Sequence, residues 1–435
     1  MESIPLHQHR KISSFRPCAM LWDESLTWGI MARQTLMGAS LPFDLLTSED
    51  VRQGALSSYR MIFVPGGWAS NKLEALGKEG QEEIRRFVEK GGSYFGICGG
   101  AGMATEEGIG LLPVVRKPKS ERVPSFSGGI RLVCKNHTIW DGIDSHEFSV
   151  WWPSQFQIDI NNINILAKYE NPLCDAFSAD INMEEGEAIG WSELELRYGI
   201  LLNPARLRGE PAVLEGCYGQ GKVILSLIHF DTPNDPNDAI VLRNIWKYLA
   251  SYVPGQNQIR KELLKGQSII HHLPPEIPRL IEEIDGAIDD LFNAGERNFL
   301  WYWRNPLLLH WRRGVRGMEY TTLITMIKET LKYIDALHSD YTCTSNGRTG
   351  NITELQLEND LVSIKERLLA FIEKAKRLLS RERFYLTSSL LSPLDSGDEE
   401  INRLRRILFA SEMRHGGDFK CLIDMVDRLL FRLIK

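Results

Sequence analysis

The 435-residue chain lacks any C-x-x-C pair, and its seven cysteines, at 18, 98, 134, 174, 217, 343 and 421, are scattered and odd in number. A disulfide framework and a zinc ribbon are therefore not expected, and a reducing compartment fits. No run approaches the roughly 20 apolar residues that a membrane helix needs. The opening MESIPLHQHRKISSF has no long apolar stretch of the secretory kind. A cytoplasmic protein with no membrane association is the expectation. Basic charge is not in excess either: 51 Lys and Arg stand against 57 Asp and Glu, a net of −6. Nucleic acid is thus an unlikely partner, because such binders depend on cationic contacts to phosphate. His7, His9 and the pair His271–His272 lack further ligands at a useful spacing. No metal and no other cofactor is expected. Internal repeats and low-complexity tracts are missing too.

What is present is globular in character, 43% apolar and 25% charged. The length exceeds one ordinary core, so two or more domains are expected. Residues 1–14 read as an N-terminal tail. From 15 to 253, short apolar runs alternate with helical patterns. CAMLW (18–22), RMIFVPGG (60–67) and SYFGIC (93–98) read as strands, as do IRLVC (130–134), INILAKY (163–169), PAVLEGCYG (211–219) and KVILSLIHF (222–230). SLTWGIMARQTLMGA (25–39) and GQEEIRRFVEKGG (80–92) read as helices. That alternation predicts an α/β domain with a doubly wound, mostly parallel sheet of the flavodoxin-like kind. From 254 to 435 the pattern turns to period 3.6. Ile277, Leu280, Ile281, Ile284, Ile288, Leu291 and Phe292 share one face, and so do Leu422, Ile423, Val426, Leu429, Leu430, Leu433 and Ile434. An all-α helical bundle follows, with a hinge at VPGQNQ (253–258) and a polar loop at TCTSNGRTGN (342–351).

The chemistry concentrates in G-I-C-G-G, residues 96–100. A nucleophile elbow has the form G-x-Nuc-x-G at a strand-to-helix junction, where the turn is too tight for side chains beside the nucleophile. Cys98 is the candidate nucleophile. The same residues also fit a glycine-rich packing turn with an incidental cysteine. A thiol nucleophile needs a base, and the base needs an acceptor to orient it. I-H-F-D (228–231) ends a buried strand, placing His229 and Asp231 at the carboxyl edge where doubly wound folds put their sites. Taken alone, they fit a satisfied histidine and a turn-forming aspartate; paired with the elbow, they read as a Cys98–His229–Asp231 triad. VPGG (64–67) ends a neighbouring strand. Its Gly66 and Gly67, with Gly99, are candidate oxyanion donors.

VPGG, GGSYFGICGGAGMA and GQGKVILSLIHFD, in this order and spacing, resemble the class I glutamine amidotransferase-like superfamily. Within it the similarity is greatest to the biotin-protein-ligase N-terminal domain family. The resemblance covers residues 15–250. It implies an amidotransferase-like α/β domain, Cys98 as nucleophile, His229 as base, Asp231 at the acidic position and Gly66, Gly67 and Gly99 at the oxyanion region. It also places Trp151, Trp152 and Gln155 at the pocket rim, although those tryptophans equally fit a core. Two positions depart from the pattern. Asp231 stands where glutamate is usual. In C-G-G-A-G, Gly102 stands where the superfamily has glutamine, which argues against glutamine as the substrate. No biotin ligase activity is expected, because S-N-G-R-T-G-N (345–351) is a poor likeness of the biotinyl-adenylate loop. The resulting expectation is a cysteine hydrolase or amidotransferase acting on a small amide. The alternative is a non-catalytic binding or signalling module whose residues 254–435 dock a protein partner.

Two further stretches attract attention. WYWRNPLLLHWRRG (301–314) crowds Trp301, Tyr302, Trp303 and Trp311 with Arg304, Arg312 and Arg313, which suits either an interface or a packed hinge within the bundle. Residues 361–385 carry seven Lys and Arg against three Glu, and read as a solvated helix face.

Overall fold

A computed structural model describes residues 15–158, 162–252, 276–339, 353–392, 395–410 and 414–435. The expected hinge at 253–258 and the loop at 342–351 lie outside the described residues. So do Cys343, His7, His9, His271 and His272.

Apolar runs bounded by turn residues become strands, as the pattern predicts. β1 (Arg16–Leu21), α1 (Thr27–Gly38), β2 (Asp44–Leu46), α2 (Ser48–Arg52) and β3 (Tyr59–Val64) open the chain. Next come α3 (Ala69–Glu89), β4 (Ser93–Ile97) and α4 (Gly99–Met103). The sequence predicts the α3 helix only from residue 80. It starts at Ala69 instead and bends at Gly77, whose φ of 61° no β-carbon residue adopts easily. The middle of the chain adds β5 (Val115–Arg116), β6 (Phe126–Cys134), β7 (Glu147–Trp151), β8 (Phe156–Gln157), β9 (Asn164–Pro172), β10 (Phe177–Ser178) and β11 (Ile181–Asn182). Then follow α5 (Met183–Ile189), α6 (Trp191–Tyr198), β12 (Pro211–Tyr218), β13 (Gly221–Ser226) and α7 (Pro236–Ala250).

The central sheet runs β11-β10-β6-β9-β12-β13-β4-β3-β1-β2. Its site-bearing portion, β13-β4-β3-β1-β2, is parallel throughout. β12, β9 and β6 extend it antiparallel, and β7 pairs with β6. All five residues of β4 are buried, as a strand covered on both faces requires. α1 packs with α7, while α2 and α4 each pack on α3.

The second half is helical: α8 (Glu276–Arg297), α9 (Gly317–Ser339), α10 (Glu354–Tyr385), α11 (Glu399–Phe409) and α12 (Gly417–Ile434). The α8 stripe from Ile277 to Leu291 is buried, as is the α12 stripe from Leu422 to Leu433. Among the described residues no helix is long and apolar enough to cross a membrane. Five cations of α10 have nearby acids. Lys365, Lys374, Lys376, Arg377 and Arg381 pair with Glu283, Asp418, Asp290, Glu400 and Asp398.

The stretch 301–314 is a correction. Instead of a hinge inside the bundle it forms an antiparallel hairpin, β14 (Trp301–Asn305) and β15 (Leu308–Trp311). The cause is turn chemistry. The Asn305 side chain accepts the N–H groups of Leu307 and Leu308, both at 2.9 Å, and closes a turn around Pro306.

The helical half lies against the α/β half, and one buried apolar cluster runs through both. The Trp22 indole donates to Asp427 Oδ1 at 2.9 Å, and Thr27 and Thr325 share a hydroxyl hydrogen bond of 2.8 Å. Arg304 of the hairpin donates to Ser127 Oγ on β6 at 2.9 Å.

Candidate functional site

β4 ends at Ile97 and α4 begins at Gly99, leaving Cys98 alone on the turn with φ 52° and ψ −106°. That conformation is costly for a residue with a β-carbon, on the order of 1–3 kcal/mol. The glycines explain how it is reached. A β-carbon at Gly99 would sit 1.8 Å from the Gly67 carbonyl oxygen, and one at Gly100 would sit 2.0 Å from that of Val64. The elbow is thus pressed onto the backbone of the β3 turn, which no side chain would permit. Cys98 N–H donates to Ser226 O at 2.8 Å, tying the elbow to the end of β13. Cys98 is half-buried.

The chain leaves β13 at Ser226 and reaches His229, whose N–H donates to Ser149 O on β7 at 3.0 Å. His229 and Asp231 are both fully buried. Imidazole Nδ1 lies 2.8 Å from Asp231 Oδ1, so the shorter aspartate side chain reaches the ring. Thr35 of α1 donates to Asp231 O at 2.8 Å and fixes the turn. Burial opposes a charged imidazole, but the Asp231 carboxylate, its hydrogen bond and the neighbouring Cys98 outweigh it, and His229 is pushed up to about 9. Among the described residues Nε2 has no partner that satisfies hydrogen-bond geometry. Cys98 nevertheless stands close enough to act on the ring. Long resting contacts of this sort commonly tighten only around a substrate.

Gly66 belongs to the same wall. A β-carbon there would meet the Trp28 ring at 3.0 Å and His229 Cε1 at 3.2 Å. Nothing in the sequence pattern marks Trp28, which faces the His229 ring with centroids 4.7 Å apart. Trp151 is buried and its indole donates to Thr232 Oγ1 at 3.4 Å. Trp152, with φ 50°, meets Trp28 edge-on at 6.2 Å and stacks on Trp311 of the hairpin at 4.9 Å. Gln155 lies apart from this aromatic wall. It is 1% exposed, and its side-chain oxygen accepts the Val123 N–H at 2.8 Å. Lys72 was also silent in the sequence. Its ammonium, fully enclosed, donates to Ser25 Oγ at 2.5 Å and to Asp23 O at 3.3 Å. Burial drives it down to about 7, against the pull of Glu24 and Asp23. Among the described residues no group of His, Cys, Asp and Glu has the arrangement of a metal site.

The family model described as biotin-protein ligase, N terminal, matches residues 53–108, which hold β3, its glycine turn, β4 and the elbow. Here the chain resembles the biotin-protein-ligase N-terminal family. No curated protein matches the chain. A solved glutamine amidotransferase is 18% identical, with a TM-score of 0.35, over 54% of this chain and 99% of its own. A GMP synthase component from Thermoplasma acidophilum is 14% identical, TM-score 0.35, over 60% of this chain and 100% of its own. A ThuA-like protein from Bacteroides uniformis is 11% identical, TM-score 0.36, over 58% and 98%.

Proposed function

We propose that the chain is a cysteine-dependent hydrolase or amidotransferase acting on a small amide. One observation carries this reading: Cys98 sits at positive φ on a strand-to-helix turn, beside a buried imidazole whose Nδ1 is held by Asp231 and whose Nε2 is unpartnered among the described residues. In this scheme the proton of Cys98 Sγ already rests on His229 Nε2, the imidazole being charged at neutral pH, and Sγ attacks the amide carbonyl carbon. Backbone N–H groups of Gly66, Gly67 and Gly99 would hold the developing oxyanion. His229 returns the proton to the leaving amine as the C–N bond breaks. Water then cleaves the Cys98 thioester, or an acceptor amine takes the acyl group. With Gly102 in place of glutamine, glutamine itself is not the proposed substrate.

The test is ammonia or amine release across a panel of simple amides, wild type against Cys98→Ala. Turnover is expected to fall to background, a loss of about 10⁴-fold or more, with the circular dichroism spectrum unchanged. Retained turnover in the variant would sink the reading. The second reading, a binding module without turnover, draws on the aromatic wall of Trp28, Trp152 and Trp311 beside the site. It predicts a ligand that both proteins bind and neither converts. A protein partner for residues 254–435 belongs to that second reading.

A further inference from the structure

Lys72 is a buried cation that the proposed reaction leaves unused, and its contacts lead to the elbow. It sits in the first turn of α3, its backbone N–H donating to Trp68 O at 3.1 Å. Trp68 directly follows the Gly67 turn. The Lys72 ammonium is fully enclosed and reaches two neutral oxygens, Ser25 Oγ at 2.5 Å and Asp23 O at 3.3 Å. Both belong to the loop between β1 and α1. Ser25 is itself fully buried and its hydroxyl donates to Leu21 O at 3.0 Å, which leaves its oxygen to accept from the lysine. Among the described residues the ammonium makes no ion pair; the carboxylates of Glu24, Asp23 and Asp427 act on it from farther off. Burying a cation is unfavourable unless its donors are used, and here they are used on one loop.

That loop is strained and touches the turn proposed for the oxyanion. Glu24 and Leu26 hold φ of 57° and 49°, in the left-handed region, with no glycine at either position. Such backbone persists only where its surroundings fix it. Glu24 O lies against Gly67: a β-carbon on Gly67 would stand 2.5 Å from that oxygen and 3.3 Å from Lys72 Cε. Gly67 O in turn lies 1.8 Å from where Gly99 would carry a β-carbon. One line of contact therefore runs from Lys72 and the loop, through Gly67, to the residue after Cys98. The same loop opens α1, and α1 carries Trp28 against the His229 ring.

We propose that Lys72 is the positioning residue of the oxyanion turn: its ammonium ties Asp23 and Ser25 to α3, so that the loop holds Gly67 against Gly99 while charge develops on the substrate oxygen. Lys72 acts through Gly67 and does not touch substrate. The inference rests on Cys98 being the reacting group.

Two reagents separate the turn from the nucleophile. Iodoacetamide alkylates the Cys98 sulfur by displacing iodide and forms no oxyanion. p-Nitrophenyl acetate is attacked at its carbonyl, passes through an oxyanion and leaves an acetyl thioester as p-nitrophenolate departs. Both rates at Cys98 are read by peptide mass spectrometry on the full-length protein at pH 6, below the value of about 7 to which burial drives Lys72. The acetylation-to-alkylation ratio is normalised to the same ratio at the exposed Cys174, Cys217 and Cys421. In the wild type it is expected at roughly tenfold or more. Lys72→Met keeps the stem and removes the ammonium; there the ratio should fall towards one while the alkylation rate is unchanged. Ser25→Ala should lower the ratio partway, and this milder variant decides should Lys72→Met fail to fold. A high ratio that the variants leave intact, or loss of both rates together, overturns the positioning role and leaves the cysteine hydrolase standing. A wild-type ratio near one overturns the oxyanion turn and the inference with it. A Cys98 inert to both reagents overturns the proposed function as well.

Discussion

His229 in the α/β half and His415 in the helical half are both enclosed imidazoles, and they lie on opposite sides of neutrality. His229 is pushed up to about 9. His415 is driven down to about 4, by burial first and then by Lys420 and Arg316, with Glu24 pulling the other way. Neither His415 ring nitrogen has a partner among the described residues. Enclosure, helped here by two nearby cations, discharges an imidazole. What reverses it at His229 is chiefly one carboxylate oxygen at 2.8 Å, with Cys98 adding to it. Sequence distance does not decide between them. His415 has Asp418 three residues on, but that carboxylate goes to Lys374 at 2.7 Å. Asp231 is turned inward at the end of a central strand and has the ring as its hydrogen-bond partner.

The sharpest way to break the contrast is to remove that carboxylate. In Asp231→Asn, burial is the dominant influence left on His229. Its pKa is expected to fall from about 9 to below the ordinary 6.5, the side on which His415 lies. Turnover of any amide substrate should drop by roughly 10²–10⁴-fold through loss of an oriented base. Imidazole nitrogen NMR against pH reads the first effect, and amine release reads the second. A His229 that still titrates near 9 would mean Asp231 is not what charges it.

The same contrast shows what the sequence made legible. The elbow was readable because its glycines answer to purely local geometry: Gly99 and Gly100 are small where Gly67 O and Val64 O press in. H-x-D was readable because a strand end fixes both side chains within two residues. The helical stripes were readable because burial on one face imposes a period. Trp28 and Lys72 were not, since each reaches the site across tertiary space from a helix face that looks ordinary in sequence. The hairpin was missed because Asn305 sets its turn through side-chain acceptance, which a tryptophan-rich run hides.

A smaller effect separates the halves by pH. His415 and the buried His310, which burial and then Arg304 also drive down to about 4, bind fewer protons folded than unfolded. Their stabilisation is fully present above about 6.5 and is lost as pH falls towards 4, at up to about 1.4 kcal/mol per pH unit for each group. His229 has the opposite sign: its contribution is full below about 6.5 and is lost as pH rises through 9. Urea denaturation at pH 4.5, 6.5 and 9.5 is expected to show a shallow maximum near the middle value. His415→Phe should flatten the acid limb and leave the alkaline limb unchanged. An acid limb that does not change in that variant would show that His415 is not the group being protonated.

The smallest effect concerns strain, which also divides by function. Cys98 holds φ 52° on the elbow, and Ala410 holds φ 62° at the end of α11. Glycine relieves such a backbone, though it also makes the unfolded chain freer, so the net gain is about 1 kcal/mol. Cys98→Gly should therefore be more stable than Cys98→Ala by about that amount while equally inactive. Ala410→Gly should gain a similar amount over the wild type with no change in iodoacetamide reactivity at Cys98. Chemical denaturation measures both differences. Equal stability of Cys98→Gly and Cys98→Ala would show that the elbow is not strained, and that its glycines serve only to let the β3 turn approach. A gain at both positions would place the same backbone cost in each half. Only the α/β half would then be holding that cost at a residue with chemistry to perform.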